Sequence, residues 1–341
     1  MVQQASLWFQ HLPTVTPHYA IKCNNDQRLL TWLFKEGVRF DCASPTEMLQ
    51  AFRAGASPSH IVYAHPCKST ADIQKANRLH VPTTVVDSPE EVDKLVEGGW
   101  AGGALIRLMV PDSGSLQPFS KKFGAPVPWV RSIAERLAAA RIPHHGWSFH
   151  VGSLCTKPSQ FSQAIELCAA AQDLVGSPGP MTVDIGGGFV SEPDAFAAAA
   201  AEIRGALRYF PADTRWIAEP GRFFATPVVR LEVQVIGAKK RNDMSGWRYT
   251  VDESLYGAFS NIPFDGQRPV FKLIGDDERP KVRATLFGRT CDSADCLAED
   301  IELPELRTGD WLSVDDMGAY TLVSSSEFNG FPLARREYIT V

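Results

Sequence analysis

The sequence has no apolar run near the roughly 18 residues that a membrane-spanning helix needs, and it has no excess of positive charge. Its 34 lysines and arginines face 39 aspartates and glutamates, for a formal net charge of -5. That balance argues against nucleic acid or an anionic membrane as a partner. The opening stretch, MVQQASLWFQHLP, lacks the basic start and small-residue cleavage site of a signal peptide. Cysteine is sparse and unpatterned, with seven residues at 23, 42, 67, 155, 168, 291 and 296. An odd, scattered set predicts reduced thiols in a cytoplasmic protein rather than a disulfide framework. Cys291 and Cys296 have no matching His/Cys cluster, so no metal site is expected.

What is present is alternation. Short β-prone runs lie at 18–22, 39–44, 60–65, 82–88, 104–110, 146–152, 181–188 and 215–221. Helix-prone segments separate them at 26–36, 46–54, 70–79, 89–98, 127–141, 158–175 and 192–209. Ser44, Ser88 and Ser191 stand where N-caps belong, and Gly37 and Gly55 where helices stop. Eight strand–helix units predict a (β/α)8 barrel, with a doubly wound open sheet as the alternative.

In such a barrel functional side chains sit at the C-terminal strand ends. Lys22, in PHYAIKCNND, is either an exposed edge charge or a reactive amine. Its company favours the amine: Asp41 and Ser44 after the second strand, His65, Arg107, His150 and Glu219 at others. DIGGGF and EPGR follow strands seven and eight, where barrels of this kind build phosphate sites. Lysine, histidine, a carboxylate and a phosphate cradle in one mouth suggest pyridoxal phosphate. A phosphosugar aldolase also uses a lysine, but on a later strand and without a second domain.

A second domain is expected, because after Thr226 the texture turns to strand-like runs, such as KVRATLFGRT, DWLSVDD and YTLVSSSE, with few helices. The predicted division is a cofactor-binding barrel over 1–225 and a β-rich domain, a Greek-key-like barrel or sandwich, over 226–341.

The motifs PHYAIKCN, RFDCASPTE, YAHPCK, SFHVGS, DIGGGF, EPGR, LYGAF, CDSAD, MGAYT and FNGF occur in order across nearly the whole chain. In this the chain resembles the ornithine decarboxylase group of pyridoxal-phosphate enzymes, with the alanine-racemase-type barrel. The resemblance implies roles. Lys22 would hold the cofactor as a Schiff base, His150 would stack on its ring, and Glu219 would pair with the ring nitrogen. Ser153, Gly187, Gly188, Gly221, Arg222 and Tyr320 would cradle the phosphate, with Asp41 and Arg107 near the lysine and ring edge. It also implies a homodimer in which Cys291, the proton donor, and Asp292 reach the neighbouring subunit's site, and Lys122 pairs with Asp295 across the boundary. Asp265, Asp292 and Phe328 would contact the substrate, a basic L-amino acid. L-ornithine, giving putrescine for polyamine synthesis, leads, and L-lysine is possible.

Three departures stand out. Gly266 replaces a usual histidine, Arg289 replaces a proline before Cys291, and the family's strand ahead of the barrel has no counterpart. No long C-terminal degradation tail is expected either. The alternatives carried are a decarboxylase for another amino acid or biosynthetic intermediate, diaminopimelate or arginine included, an amino-acid racemase on the same barrel, and a non-catalytic regulatory homologue.

Overall fold

The computed structural model describes residues 2–176, 181–241, 245–275 and 278–339. The chain divides into two compact units, Met1–Phe224 and Ala225–Val341.

The first unit is a closed barrel of eight parallel strands. They are β1 (Val15–Ala20), β2 (Arg39–Cys42), β3 (Ile61–Tyr63), β4 (Thr83–Val86), β5 (Gly103–Arg107), β6 (His144–Ser148), β7 (Thr182–Asp184) and β8 (Arg215–Ala218). Each pairs with its sequence neighbours and β8 closes on β1. All eight expected strands are present. Lys22, Ser44, His65, His150 and Glu219 lie beyond their strands, in the segments that leave the barrel, whereas Asp41 stands within β2 and Arg107 ends β5.

Helices α1 (Val2–His11), α2 (Gln27–Lys35), α3 (Pro45–Arg53), α4 (Thr70–Arg78), α5 (Pro89–Glu97), α6 (Val130–Ala139), α7 (Ser159–Val175) and α8 (Pro193–Ala206) accompany the strands. Side-chain caps start several of them. Asp26 accepts from the Arg28 and Leu29 amides, Ser44 from Glu47 and Ser88 from Glu91. Each such cap contributes about 1 kcal/mol. Ser191 does not cap α8. Glu192 does, accepting from Asp194 and Ala195, because its longer carboxylate reaches two amides at once.

Helix α1 was not expected. Its Trp8 is fully buried among Phe189, Phe196, Phe223 and Phe224, with ring centroids 5.1 to 6.0 Å away. Inside the barrel, Val62, Val85, Leu105 and Ile217 form an apolar layer. That layer leaves the polar chemistry to the two ends.

The second unit is built on one six-stranded sheet. In chain order its strands are β9 (Leu231–Lys240), β10 (Trp247–Val251), β11 (Lys272–Leu273), β12 (Lys281–Phe287), β13 (Cys296–Pro304) and β14 (Trp311–Val314). The spatial order is β11-β14-β9-β10-β12-β13. Tyr249, Phe259, Leu286, Leu312 and neighbours form its core. The run YTLVSSSE, read as a strand, instead holds a 3-10 turn at Leu322–Ser324. Its serines satisfy local carbonyls: Ser324 Oγ donates to Thr321 O and Ser325 Oγ to the same atom. Such bonds compete with a strand ladder.

Candidate active site

The mouth of the barrel gathers ionisable groups from strands far apart in sequence. Strand β1 stops at Ala20, and the 3-10 turn Ile21–Cys23 presents Lys22 beyond it. Its ammonium donates to Asp41 Oδ2, while the other Asp41 oxygen is buried without a hydrogen-bond partner. Lys22 is thus 40% exposed on a fully buried carboxylate.

A second lysine near the mouth is placed differently. Lys68 is sealed, with its ammonium 2.8 Å from Glu91 and donating to the carbonyls of His65 (2.9 Å) and Val85 (2.8 Å). Of the two, only Lys22 is open to a ligand. His65 beside it turns its Nδ1 to the Cys67 amide, 3.1 Å away.

Arg107 ends β5, buried, with its guanidinium 5.2 Å from the Phe123 ring centroid. Burial lowers its pKa, and the carboxylates of Glu219, Asp87, Asp184 and Asp41 oppose that. His150 follows β6. Its Nδ1 accepts from the Gly152 amide at 3.0 Å, and Phe119 lies against it at 4.7 Å. Burial, then Arg107 and Lys22, push its pKa well below the usual histidine value. The ring is therefore neutral, and with Nδ1 accepting, its proton sits on Nε2.

Glu219 follows β8, and Asp184 ends β7 beside it. Burial raises both carboxyls above the ordinary range, and each feels its neighbours' negative charge. Sequence reasoning passed over Asp184. Its signal was a carboxylate two residues before the glycine triplet, at the same barrel end as Glu219.

The glycine loop is tight. A side chain on Gly187 would put its Cβ 2.8 Å from both the Glu219 carbonyl and His150 Nε2. Gly188 adopts φ +106°, and a Cβ there would meet the Gly152 carbonyl at 2.6 Å. Arg222 Nη2 donates to Ser153 Oγ at 3.3 Å, and Gly221 packs on Cys23. In the first unit, then, Lys22, Asp41, Arg107, His150, Ser153, Gly187, Gly188, Glu219, Gly221 and Arg222 all lie at one barrel end.

The remaining expected residues belong to the second unit. Cys291 is exposed, and its amide donates to Asn329 Oδ1 at 3.0 Å. Asp292 accepts from the Tyr256 hydroxyl and from the Ala294 amide, which hold its pKa below the usual carboxylate value. Phe328 stacks on Tyr256 with centroids 4.1 Å apart. Tyr320 adopts φ +54°, a left-handed conformation unusual for a large side chain. Asp265 ends the short helix Asn261–Asp265, buried, with Gly266 at φ +65° after it.

Asp295 is 1% exposed, and its carboxylate accepts from the Leu255 amide (2.8 Å), the Thr290 amide (3.0 Å) and the Thr290 hydroxyl (2.6 Å), which staples its own turn. Arg289 is likewise engaged within its unit, donating to Pro332 O at 2.7 Å with its guanidinium 4.6 Å from the Phe331 ring centroid.

The mouth fits pyridoxal phosphate on two observations. Glu219 Oε1 is buried without a partner, an acceptor suited to a ring N–H. The glycine loop beside Ser153 and Arg222 has backbone too crowded for side chains, as a phosphate cradle requires.

The comparisons agree. Residues 1–226 match the family described as pyridoxal-dependent decarboxylase, pyridoxal binding domain. Residues 151–318 match its C-terminal sheet domain. The chain belongs to the pyridoxal-dependent decarboxylase family. Ornithine decarboxylase of Schizosaccharomyces pombe is 37% identical over 99% of the chain and 81% of its own length. The arginine decarboxylase of Paramecium bursaria Chlorella virus, solved with agmatine, superposes with a TM-score of 0.92 at 34% identity, covering 96% of this chain and 90% of that one. The lysine/ornithine decarboxylase of Vibrio vulnificus, solved with cadaverine, gives 0.88 at 33%, covering 97% and 88%. The protein is a pyridoxal-phosphate-dependent decarboxylase of basic amino acids.

Proposed function

We propose that this decarboxylase acts on L-ornithine, releasing putrescine and CO2 for polyamine synthesis, with L-lysine as a slower substrate. The observation that carries the reading is Asp265, a carboxylate only 5% exposed at the end of its short helix. A distal ammonium that reached this desolvated carboxylate would gain a charge-assisted hydrogen bond from it. Gly266 carries no side chain, which leaves room for the extra methylene of lysine at a cost of about 1–3 kcal/mol. Arg289, held by Pro332 and Phe331, is occupied elsewhere.

In this reading the enzyme is a cytoplasmic homodimer, and Cys291 and Asp292 serve the partner subunit's site. When bound, pyridoxal phosphate supplies the electron-accepting ring that takes the charge left by departing CO2. Lys22, its ammonium steadied by Asp41, would hold the cofactor. Neutral His150 would lie against its ring, and Glu219 would keep the ring nitrogen protonated. Ser153, the glycine loop and Arg222 would hold the phosphate, and the role of Tyr320 there rests on the family resemblance. Cys291 delivers a proton from Sγ to the substrate α-carbon, while Asp292 and Phe328 line the distal end.

The test is amine formation from ornithine, lysine, arginine and diaminopimelate at matched concentration, with Asp265→Ala alongside. Ornithine should lead, lysine follow and diaminopimelate fail, since its distal carboxylate faces Asp265. Preference for arginine or diaminopimelate, or an unchanged ranking in Asp265→Ala, refutes the assignment.

A further inference from the structure

The barrel carries a second concentration of charge at the end opposite its mouth. Arg39, Thr83, Gly103 and Arg215 are the first residues of β2, β4, β5 and β8, and His145 is the second of β6. His18, within β1, lies opposite Arg39 in the strand register. Gly103 precedes Leu105 by two residues and so shares its face of the strand, the face of the apolar layer. A side chain at 103 would overlap the His145 imidazole. The missing side chain admits that ring, and Thr83 Oγ1 fixes it with a 3.1 Å bond to Nδ1.

The charged neighbours in this cluster share one sign. Arg215, Arg39 and His60 act on His18, Arg215 acts on His145, and Arg39 acts on Arg215. His18 is 1% exposed, and its Nε2 has no hydrogen-bond partner. Its Nδ1 lies 3.3 Å from the Thr16 carbonyl and therefore carries the ring proton. Nε2 is thus a buried lone pair, left among cations. Arg215 stays exposed and Arg39 partly so, which opens the cluster to solvent.

We propose that this end of the barrel is an anion site for a phosphate group that retains one acidic hydroxyl. Arg39 and Arg215 supply charge and N–H donors, and His18 Nε2 accepts from the P–OH. The arginine pair suits any tetrahedral oxyanion. The histidine lone pair selects for one that can donate, which inorganic phosphate does at neutral pH, a monoester does in its monoanionic form below a second pKa of about 6, and sulfate does not. A site that hydrogen-bonds a hydroxyl rejects the analogue lacking it, because the buried nitrogen is then left unpaired.

The experiment is calorimetric titration of the cofactor-saturated enzyme with inorganic phosphate, glycerol 3-phosphate and sulfate, at ionic strength fixed with chloride. Saturation with pyridoxal phosphate closes the mouth to the added anion. Phosphate should bind at least about tenfold tighter than sulfate. Arg39→Gln should abolish binding of both without changing turnover, and His18→Phe should erase the preference for phosphate. Arg215→Gln, at an exposed position, repeats the test should Arg39→Gln not fold. Binding of the ester as well as the free ion assigns the site to phosphate monoesters, and binding of inorganic phosphate alone assigns it to the free ion. Heats no larger than the chloride control, or binding intact in the folded arginine variants, overturn the proposal.

Discussion

Glu219 and Asp184 leave neighbouring barrel strands with their carboxyls buried in one mouth, where burial raises both pKa values and the charge of Asp184 raises that of Glu219 further. The Gly186 amide donates to Asp184 Oδ1 at 2.9 Å, and Asp184 Oδ2 and Glu219 Oε1 are both buried without a hydrogen-bond partner. The proposed role at the ring nitrogen belongs to Glu219. Glu219→Ala should retain bound cofactor but lose turnover by at least about a hundredfold, since nothing then holds the ring nitrogen protonated. Asp184→Asn keeps the Gly186 bond and should cost far less. Visible absorbance and kcat of the two variants check this, and near-wild-type kcat in Glu219→Ala refutes the assignment.

The proposed sharing of sites between subunits makes its own prediction. Lys22→Ala and Cys291→Ala should each be inactive alone. Mixed and allowed to exchange subunits, they should recover up to about a quarter of wild-type activity, because half of the dimers are mixed and each has one intact site. No recovery after demonstrated exchange means that one chain builds each site.

Acid stability should be set in part by His18 and His144. Burial lowers their pKa values to about 3 and about 4, from 6.5. The unfolded chain binds protons at these positions that the folded chain refuses. Stability is therefore full above pH 6.5 and falls as pH drops, by up to about 1.4 kcal/mol per unit for each group, until its folded value is reached. In phosphate-free buffer, His18→Phe should flatten the fall of unfolding free energy between pH 6.5 and 4. An unchanged slope excludes His18 as a source.

Arg289 should act through a loop. It grips Pro332 and Phe331, next in the chain to the Phe328–Gly330 turn, whose Asn329 receives the Cys291 amide. Arg289→Ala should lower kcat severalfold, with the ranking of ornithine over lysine unchanged. A switch in substrate preference would show instead that the guanidinium reads the substrate.

How legible this was in the sequence depended on how local the cause is. The barrel strands and most caps follow from short patterns, and Lys22, His150 and Glu219 stand out as polar residues ending apolar runs. Helix α1 was missed because its stability lies in Trp8 packing onto phenylalanines about 180 or more positions away, which no ten-residue pattern displays. Strand β13 was missed for the opposite reason. CLAEDIELP is acidic enough to read as loop, yet an edge strand tolerates outward charge while Leu297 and Leu303 remain buried. The turn at Leu322–Ser324 was misread because hydroxyl-to-carbonyl bonds are invisible to β-propensity. The basic cluster at the far barrel end escaped notice because its members are single residues on six separate strands.

The sealing of Lys68 bears on how the protein can be labelled. Its amine is committed to Glu91 and two backbone carbonyls, so of these two lysines only Lys22 is placed to meet an aldehyde reagent arriving at the barrel mouth. Reductive trapping of a small aldehyde on the cofactor-free protein should leave its tag on the peptide bearing Lys22 and spare the one bearing Lys68. The same arrangement leaves no understudy. Lys22→Ala cannot recruit Lys68 without breaking a buried ion pair, so only an external amine, diffusing into the vacated position, can restore chemistry there.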